Sequence, residues 1–291
     1  MPPDEPFEPQ HRHAQVNGIR MHYVEAGEGE PVVLLHGFPE FWYSWRKQLP
    51  VLAQDHRVVA PDLRGYNETE ARPPYDSGTL QQDVLGLIEA LGEDSAHIVG
   101  HDWGGAIAWQ LAMGHSEAVR SLAILNIPHP ALFIQGLKSF AQLRKSWYMF
   151  FFQLPWLPEQ FVARNRYRQL ARAIFQGIPA SEERRQDVAT YRRSWQEHGL
   201  GGGINWYRAL MRNPRRLPDP VPIVTAPTTM IWGEEDIALG KELTVGTERY
   251  VRDLDLHYLP GVGHFVQQEA PERVNELLLA HLERARGNSD G

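Results

Sequence analysis

The chain has 291 residues, 42% of them apolar and 22% charged, with a formal net charge of −7 and no cysteine. The acidic balance argues against a nucleic-acid or anionic-membrane surface. The missing cysteines exclude a disulfide scaffold, a cysteine-ligated metal centre and a cysteine nucleophile. Met1 to Gln10 is rich in proline and acidic residues, without a basic-then-apolar leader pattern. No uncharged apolar run reaches the roughly 18–20 residues that span a bilayer. The expectation is a soluble, cytoplasmic protein without stable membrane insertion, either monomer or homodimer. Asn67-Glu68-Thr69 fits the N-glycosylation pattern, which without a secretory leader reads as chance.

Taken in chain order, residues 32–35 (Val-Val-Leu-Leu) read as a fully buried strand that runs into His36-Gly37-Phe38-Pro39. Residues 57–60 form a second strand, ending at Pro61-Asp62-Leu63-Arg64-Gly65. Apolar spacing predicts a helix over 80–91, a strand over 97–99, a helix over 104–113 and a strand over 123–125. Repeated βα units predict a mostly parallel central sheet flanked by helices. From about 128 to 218 the patterns are helical only, rich in aromatic residues and arginine. Strand patterns return at 228–232 and 256–259, and a last helix is predicted over 271–286. An all-helical insertion between two parts of one sheet reads as a cap over the sheet's C-terminal edge, where ligands of open α/β sheets bind. The expected division is a core of 1–127 and 220–291 with a cap of 128–219.

Gly100-His101-Asp102-Trp103-Gly104-Gly105 lies between a predicted strand and a predicted helix. This is the G-x-nucleophile-x-G turn, whose glycines let strand and helix approach closely. The plainer reading is a glycine-rich turn whose aspartate caps the helix. Two distant residues weigh against it. His264 follows the last predicted strand, and Asp236 ends the strand before that, so the chain order is nucleophile, acid, histidine. Among thirteen histidines, His264 is chosen by position; His101 reads as a structural neighbour, and His11, His13 and His129 have no motif around them. Glu234 and Glu235 are rival acids. The turn after the strand before the cap offers only the neutral Asn126. Backbone amides of Phe38 and Trp103 are expected to form an oxyanion hole, with Phe38-Pro39 a candidate cis peptide.

A carboxylate is a weak nucleophile toward carbonyls, but it can displace a leaving group from saturated carbon and form an alkyl ester. Water activated by His264, with Asp236 orienting it, would then open the ester. The reaction class is hydrolysis at sp³ carbon, of epoxides or alkyl halides.

Here the sequence resembles a known family. His36-Gly37-Phe38-Pro39-Glu40 with Trp42-Tyr43-Ser44-Trp45-Arg46, Asp62-Leu63-Arg64-Gly65-Tyr66 and His101-Asp102-Trp103-Gly104-Gly105 resemble motifs of epoxide hydrolases of the α/β-hydrolase fold. Residues 147–153 and Asn205-Trp206-Tyr207-Arg208 are similar to the two lid segments that carry catalytic tyrosines in that family. The resemblance runs from about residue 14 to 285. It implies Asp102 as nucleophile, Tyr148 and Tyr207 as proton donors to the ring oxygen, and a vicinal diol as product. It also implies an ether-bond hydrolase that needs no cofactor and no metal. The substrate would be a small hydrophobic epoxide, consumed with water. His36, Pro39, Trp103, Phe151 and Trp206 are expected to line the pocket. An aromatic run such as 148–152 is by itself ordinary core or pocket wall; only the matched segment singles out Tyr148.

The same motifs allow two other readings. A haloalkane dehalogenase would use the same ester, but that family places an Asn side chain where this chain has Phe38. A non-catalytic receptor would not require the complete catalytic set. Gly201-Gly202-Gly203 does not follow a strand, so no dinucleotide loop is expected. His11-Arg12-His13 has no carboxylate neighbours in sequence and no evident scaffold, so no metal site is expected there.

Overall fold

The computed structural model describes residues 7–212 and 217–287. The first six residues and the last four, which the expected core bounds include, lie outside the described residues. The strands are β1 Gln10–Val16, β2 Ile19–Ala26, β3 Pro31–Leu35, β4 Arg57–Pro61, β5 Ala96–His101, β6 Val119–Leu125, β7 Thr228–Gly233 and β8 Leu254–Leu259. They form one sheet in the order β1-β2-β4-β3-β5-β6-β7-β8. β2 runs antiparallel to both β1 and β4, and all other neighbours are parallel.

The helices in chain order are α1 Leu49–Leu52, α2 Ser77–Ala90, α3 Trp103–Gly114, α4 Pro130–Gly136, α5 Phe140–Lys145 and α6 Trp147–Phe151. They continue with α7 Leu157–Val162, α8 Arg168–Ile174, α9 Glu182–His198, α10 Gly201–Arg212, α11 Val266–Glu269 and α12 Pro271–Gly287. Side chains of the central strands alternate between two apolar layers. Val33, Leu35, Val59, Met230 and Trp232 join α2 and α3 in one. Val32, Leu34, Val58, Ala60 and Ile231 join α1 and α12 in the other. Burial on both faces explains why β3 is apolar at every position.

β1 and β2 are absent from the sequence reading. β1 is polar and exposed along most of its length, so it carries no apolar period. Its hairpin closes through Asn17 and Gly18, both at positive φ, with Val16 paired to Ile19. Asn-Gly between strands is a strong short-range hairpin signal, and it was there to be read.

Between β6 and β7 the chain runs through α4 to α10, with no named strand among the described residues. Met149, Phe152, Tyr167, Trp195 and Tyr207 from this segment pack with Phe41, which follows β3. Hydrogen bonds tie the same segment to the sheet's loops: the Trp195 indole donates to the Pro39 carbonyl at 2.7 Å, and the Trp206 indole to that of Arg64 at 3.0 Å. Gly202 meets Gly65 so closely that an added Cβ would lie 2.0 Å from the Gly65 oxygen. This contact accounts for at least one glycine of the Gly201-Gly202-Gly203 run.

Candidate active site

β3 and β5 are neighbours, but the crossover from β3 leads to β4 on one flank and that from β5 leads to β6 on the other. A crevice opens at the C-terminal ends of such strands. Phe38 follows β3 and Asp102 follows β5, so both stand at that crevice.

Asp102 sits at φ 49°, ψ −118°, between β5 and α3. For a residue with a Cβ this is a strained conformation, held only where the surroundings dictate it. The surroundings are close backbones: a Cβ on Gly104 would lie 2.2 Å from the Leu35 carbonyl oxygen, and one on Gly37 would lie 2.5 Å from the Asp102 Cβ. Oδ1 of Asp102 accepts from the Phe38 amide at 2.9 Å. Trp103 is the first residue of α3, and the first amides of a helix have no intrahelical acceptor. The Phe38-Pro39 peptide is cis, as expected.

His264 places Nε2 3.6 Å from Oδ2 of Asp102 and Nδ1 2.6 Å from Oδ2 of Asp236. All three side chains are buried. Asp236 is further held by the amides of Ala238 and Leu239 at 2.7 and 2.9 Å and by the Asn126 side-chain amide at 2.7 Å. The rival acids point elsewhere, Glu234 to Lys241 and Glu235 to solvent. Burial alone would raise the Asp102 and Asp236 pKa values; the hydrogen bonds and charge of His264 outweigh it and hold both below the usual range. Burial would likewise lower His264, but the two carboxylates dominate and raise it well above an ordinary histidine. The two carboxylates thus favour the protonated form of His264.

Tyr148 and Tyr207 lie with ring centroids 5.7 Å apart, and Tyr207 packs on Trp103 at 5.0 Å and Phe38 at 5.4 Å. Burial first, then the nearby Asp102 charge, pushes both phenols above the ordinary range. They stay protonated and able to donate.

Two cavities share Asp102, Tyr148 and Tyr207. One runs past Trp103, Trp206, Leu80 and Phe133. The other runs past Pro39, Phe151, Phe161 and His264. Four of the five expected pocket residues thus face a cavity. His36 does not line either one and requires correction: it is buried beneath, its Nε2 accepting from the Leu63 amide at 3.0 Å and its ring set edge-on to Tyr66. A histidine that completes a loop's hydrogen bonds looks the same in sequence as one that faces a substrate.

Three residues near the site escaped the sequence reading in this role. Asn126 braces Asp236. Glu40 accepts from Gln268 and from the Gly37 amide and faces His101 at 2.7 Å, while the other nitrogen of His101 donates to the His264 carbonyl at 2.9 Å. Arg208 joins the two tyrosine segments: it donates to the carbonyls of Phe152 and Leu154 and pairs with Glu159 at 2.6 Å. Its place in the motif Asn205-Trp206-Tyr207-Arg208 was the only local signal for Arg208.

A family model described as alpha/beta hydrolase fold matches residues 30–271. Human epoxide hydrolase 4 is 39% identical over 287 residues, covering 94% of this chain and 78% of that protein. The AB hydrolase superfamily protein YfhM of Bacillus subtilis is also 39% identical, over 91% of this chain and 95% of its own length. A crystal structure of a Bacillus megaterium epoxide hydrolase with an inhibitor superposes with TM-score 0.86 at 31% identity, covering 94% of this chain and all of that one. The chain belongs to the α/β-hydrolase fold family. Within it, these relatives make it an epoxide-hydrolysing enzyme.

Proposed function

We propose that the enzyme opens epoxides through a covalent ester on Asp102, beneath a helical cap of residues 128–219 that supplies the proton donors. The observation that carries this reading is the shared wall of the two cavities, where a carboxylate faces two protonated phenols. An Asp102 oxygen attacks one ring carbon as the C–O bond breaks, and a phenol proton goes to the departing oxygen, which would otherwise leave as a strongly basic alkoxide. The His264 imidazolium then returns a proton to the tyrosinate through the site, leaving a neutral imidazole. Esterification favours this loss, because it removes the Asp102 charge that raises His264. Neutral His264 takes a proton from water, and the resulting hydroxide attacks Cγ of the ester. The Phe38 amide stabilises the oxyanion that forms there. Collapse breaks the bond from Cγ to the alkyl oxygen, which takes the proton of the newly added hydroxyl and departs as the diol, leaving the Asp102 carboxylate beside imidazolium.

The two arms favour an epoxide with apolar groups on both sides of the ring. Trp147, Phe161 and Ile237 are exposed and line one arm, offering a hydrophobic mouth to such a substrate. Phe38 offers no side-chain donor for a second halide contact, which sets the dehalogenase reading aside. A single turnover in ¹⁸O-water tests the mechanism. The first diol should be unlabelled, with ¹⁸O in the peptide that contains Asp102; solvent oxygen in that diol would mean direct attack by water.

A further inference from the structure

His11 and His13, without carboxylate neighbours in the sequence, gain both partners and scaffold in the fold. They lie two residues apart on β1 and so share a face of the sheet, and the register sets His22 of β2 opposite His13. Nδ1 of His11 lies 2.9 Å from Nε2 of His22. Their rings stack at 5.1 Å, and the His13 ring is also 5.1 Å from that of His22. Glu68, from the loop after β4, completes the group: ligand atoms of His11, His22 and Glu68 all fall within 4.8 Å of one another.

The other side of His22 is fixed. Its Nδ1 lies 2.6 Å from Oδ2 of Asp62, and both side chains are fully buried. Asp62 is itself held by the Trp42 amide at 2.9 Å and the Asn67 side chain at 2.7 Å. A carboxylate on Nδ1 keeps the proton there and turns the Nε2 lone pair outward, the arrangement that orients histidine ligands in metal sites.

We propose that His11, His22 and Glu68 bind a divalent transition metal, zinc foremost. Two imidazoles and a carboxylate suit zinc and its neighbours, whereas magnesium and calcium prefer oxygen donors alone. Nitrogens bound to zinc at about 2.0–2.1 Å in a tetrahedron stand roughly 3.3 Å apart. The 2.9 Å pair therefore has to open by only a few tenths of an ångström, and His11 is exposed enough to move. The site belongs to the edge strands, with β4 and β3 between them and the strand that leads to Asp102. Its effect is structural. A bound ion would clip the β1–β2 hairpin to the loop whose Asn67 accepts from Ser194 of α9 at 2.6 Å.

Titrating zinc into chelator-treated full-length enzyme at pH 7.5 tests this, with the unfolding midpoint and the visible spectrum of the cobalt(II) form as further readouts. The expected result is one zinc per chain and a raised midpoint, because a ligand that binds only the folded state stabilises it. Magnesium should give neither effect. His11→Ala removes an exposed imidazole and Glu68→Gln replaces an exposed carboxylate with a neutral amide, and each should weaken zinc at least tenfold. His115→Ala, in a partly exposed pair with Glu117, should leave it unchanged. Epoxide turnover should be the same with and without chelator. If zinc does not bind, or binds His11→Ala as tightly as the unaltered enzyme, Asp62, His22 and His11 form a hydrogen-bond chain only and the proposal falls.

Discussion

Asn126 and His264 converge on one oxygen: Oδ2 of Asp236 takes the Asn126 amide at 2.7 Å and stands 2.6 Å from Nδ1 of His264. The turn after β6 and the turn after β7 therefore meet at the acid position. Asp236→Asn should slow ester hydrolysis by on the order of 10³–10⁴-fold, the scale on which losing an orienting carboxylate affects a catalytic histidine. Adding Asn126→Asp in that background returns a carboxylate to the same place, and aspartate tolerates the positive φ of this residue. The double variant should regain at least tenfold in the rate of ester breakdown, followed by rapid quench. A folded double variant no faster than Asp236→Asn would show that only the 236 position can serve the imidazole.

Tyr207→Phe and Tyr148→Phe should each slow ring opening by roughly 10²-fold, at the lower end of what a general acid contributes. The double variant should be slower than either. Breakdown of ester already formed should change by less than about threefold, since neither phenol acts on the attacking water in the proposed cycle. Transient kinetics of alkyl-enzyme formation and decay separates the two effects. Equal slowing of both phases would place the tyrosines in general pocket architecture.

The same contacts explain what could be read from sequence and what could not. The central strands were legible because both faces of β3 are buried, which leaves no polar position to blur the pattern. β1 was not, because its stability comes from pairing with β2 rather than from its own exposed side chains. The nucleophile turn was legible from close backbone approaches that only glycine permits. Choosing among Glu234, Glu235 and Asp236 depends on a brace from Asn126, 110 residues away in the chain. The partners of His11 are hidden for the same reason, since Glu68 comes close only once β4 is in the sheet.

The acid limb of activity follows from the signs of the shifts. Asp102 is held below the usual carboxylate range, so it stays ionised, and ring opening persists, well into acid. His264 is raised in the free enzyme by Asp236 and Asp102 against its burial. In the ester the Asp102 charge is gone, so the imidazole pKa is lower than in the free enzyme, and the neutral form needed for hydrolysis is lost as pH falls through that lower value. Ester breakdown should therefore fail at higher pH than ester formation. Intact-mass measurement after acid quench should find the alkyl-enzyme fraction rising as pH decreases. A fraction that stays flat while turnover falls would mean that both steps share one titrating group.

Arg208 offers the last test, because it fastens the segments that carry the two tyrosines without lining either cavity. Its guanidinium reaches the Phe152 and Leu154 carbonyls just beyond α6, pairs with Glu159 of α7, and sits one residue after Tyr207. The Gln153 side chain adds a second link, donating to the Tyr207 carbonyl at 3.0 Å. Arg208→Ala removes all of the guanidinium bonds from a largely buried position, at about 1–3 kcal/mol. The unfolding midpoint should drop by a few degrees. If alignment of the phenols matters, ring opening should slow about tenfold while ester breakdown, which depends on core residues, holds. Arg208→Lys keeps the charge but not the planar fork, so it should recover little of the ring-opening rate. Full recovery by lysine would mean that charge at this position, rather than the multiple bonds of the guanidinium, keeps Tyr148 and Tyr207 aligned.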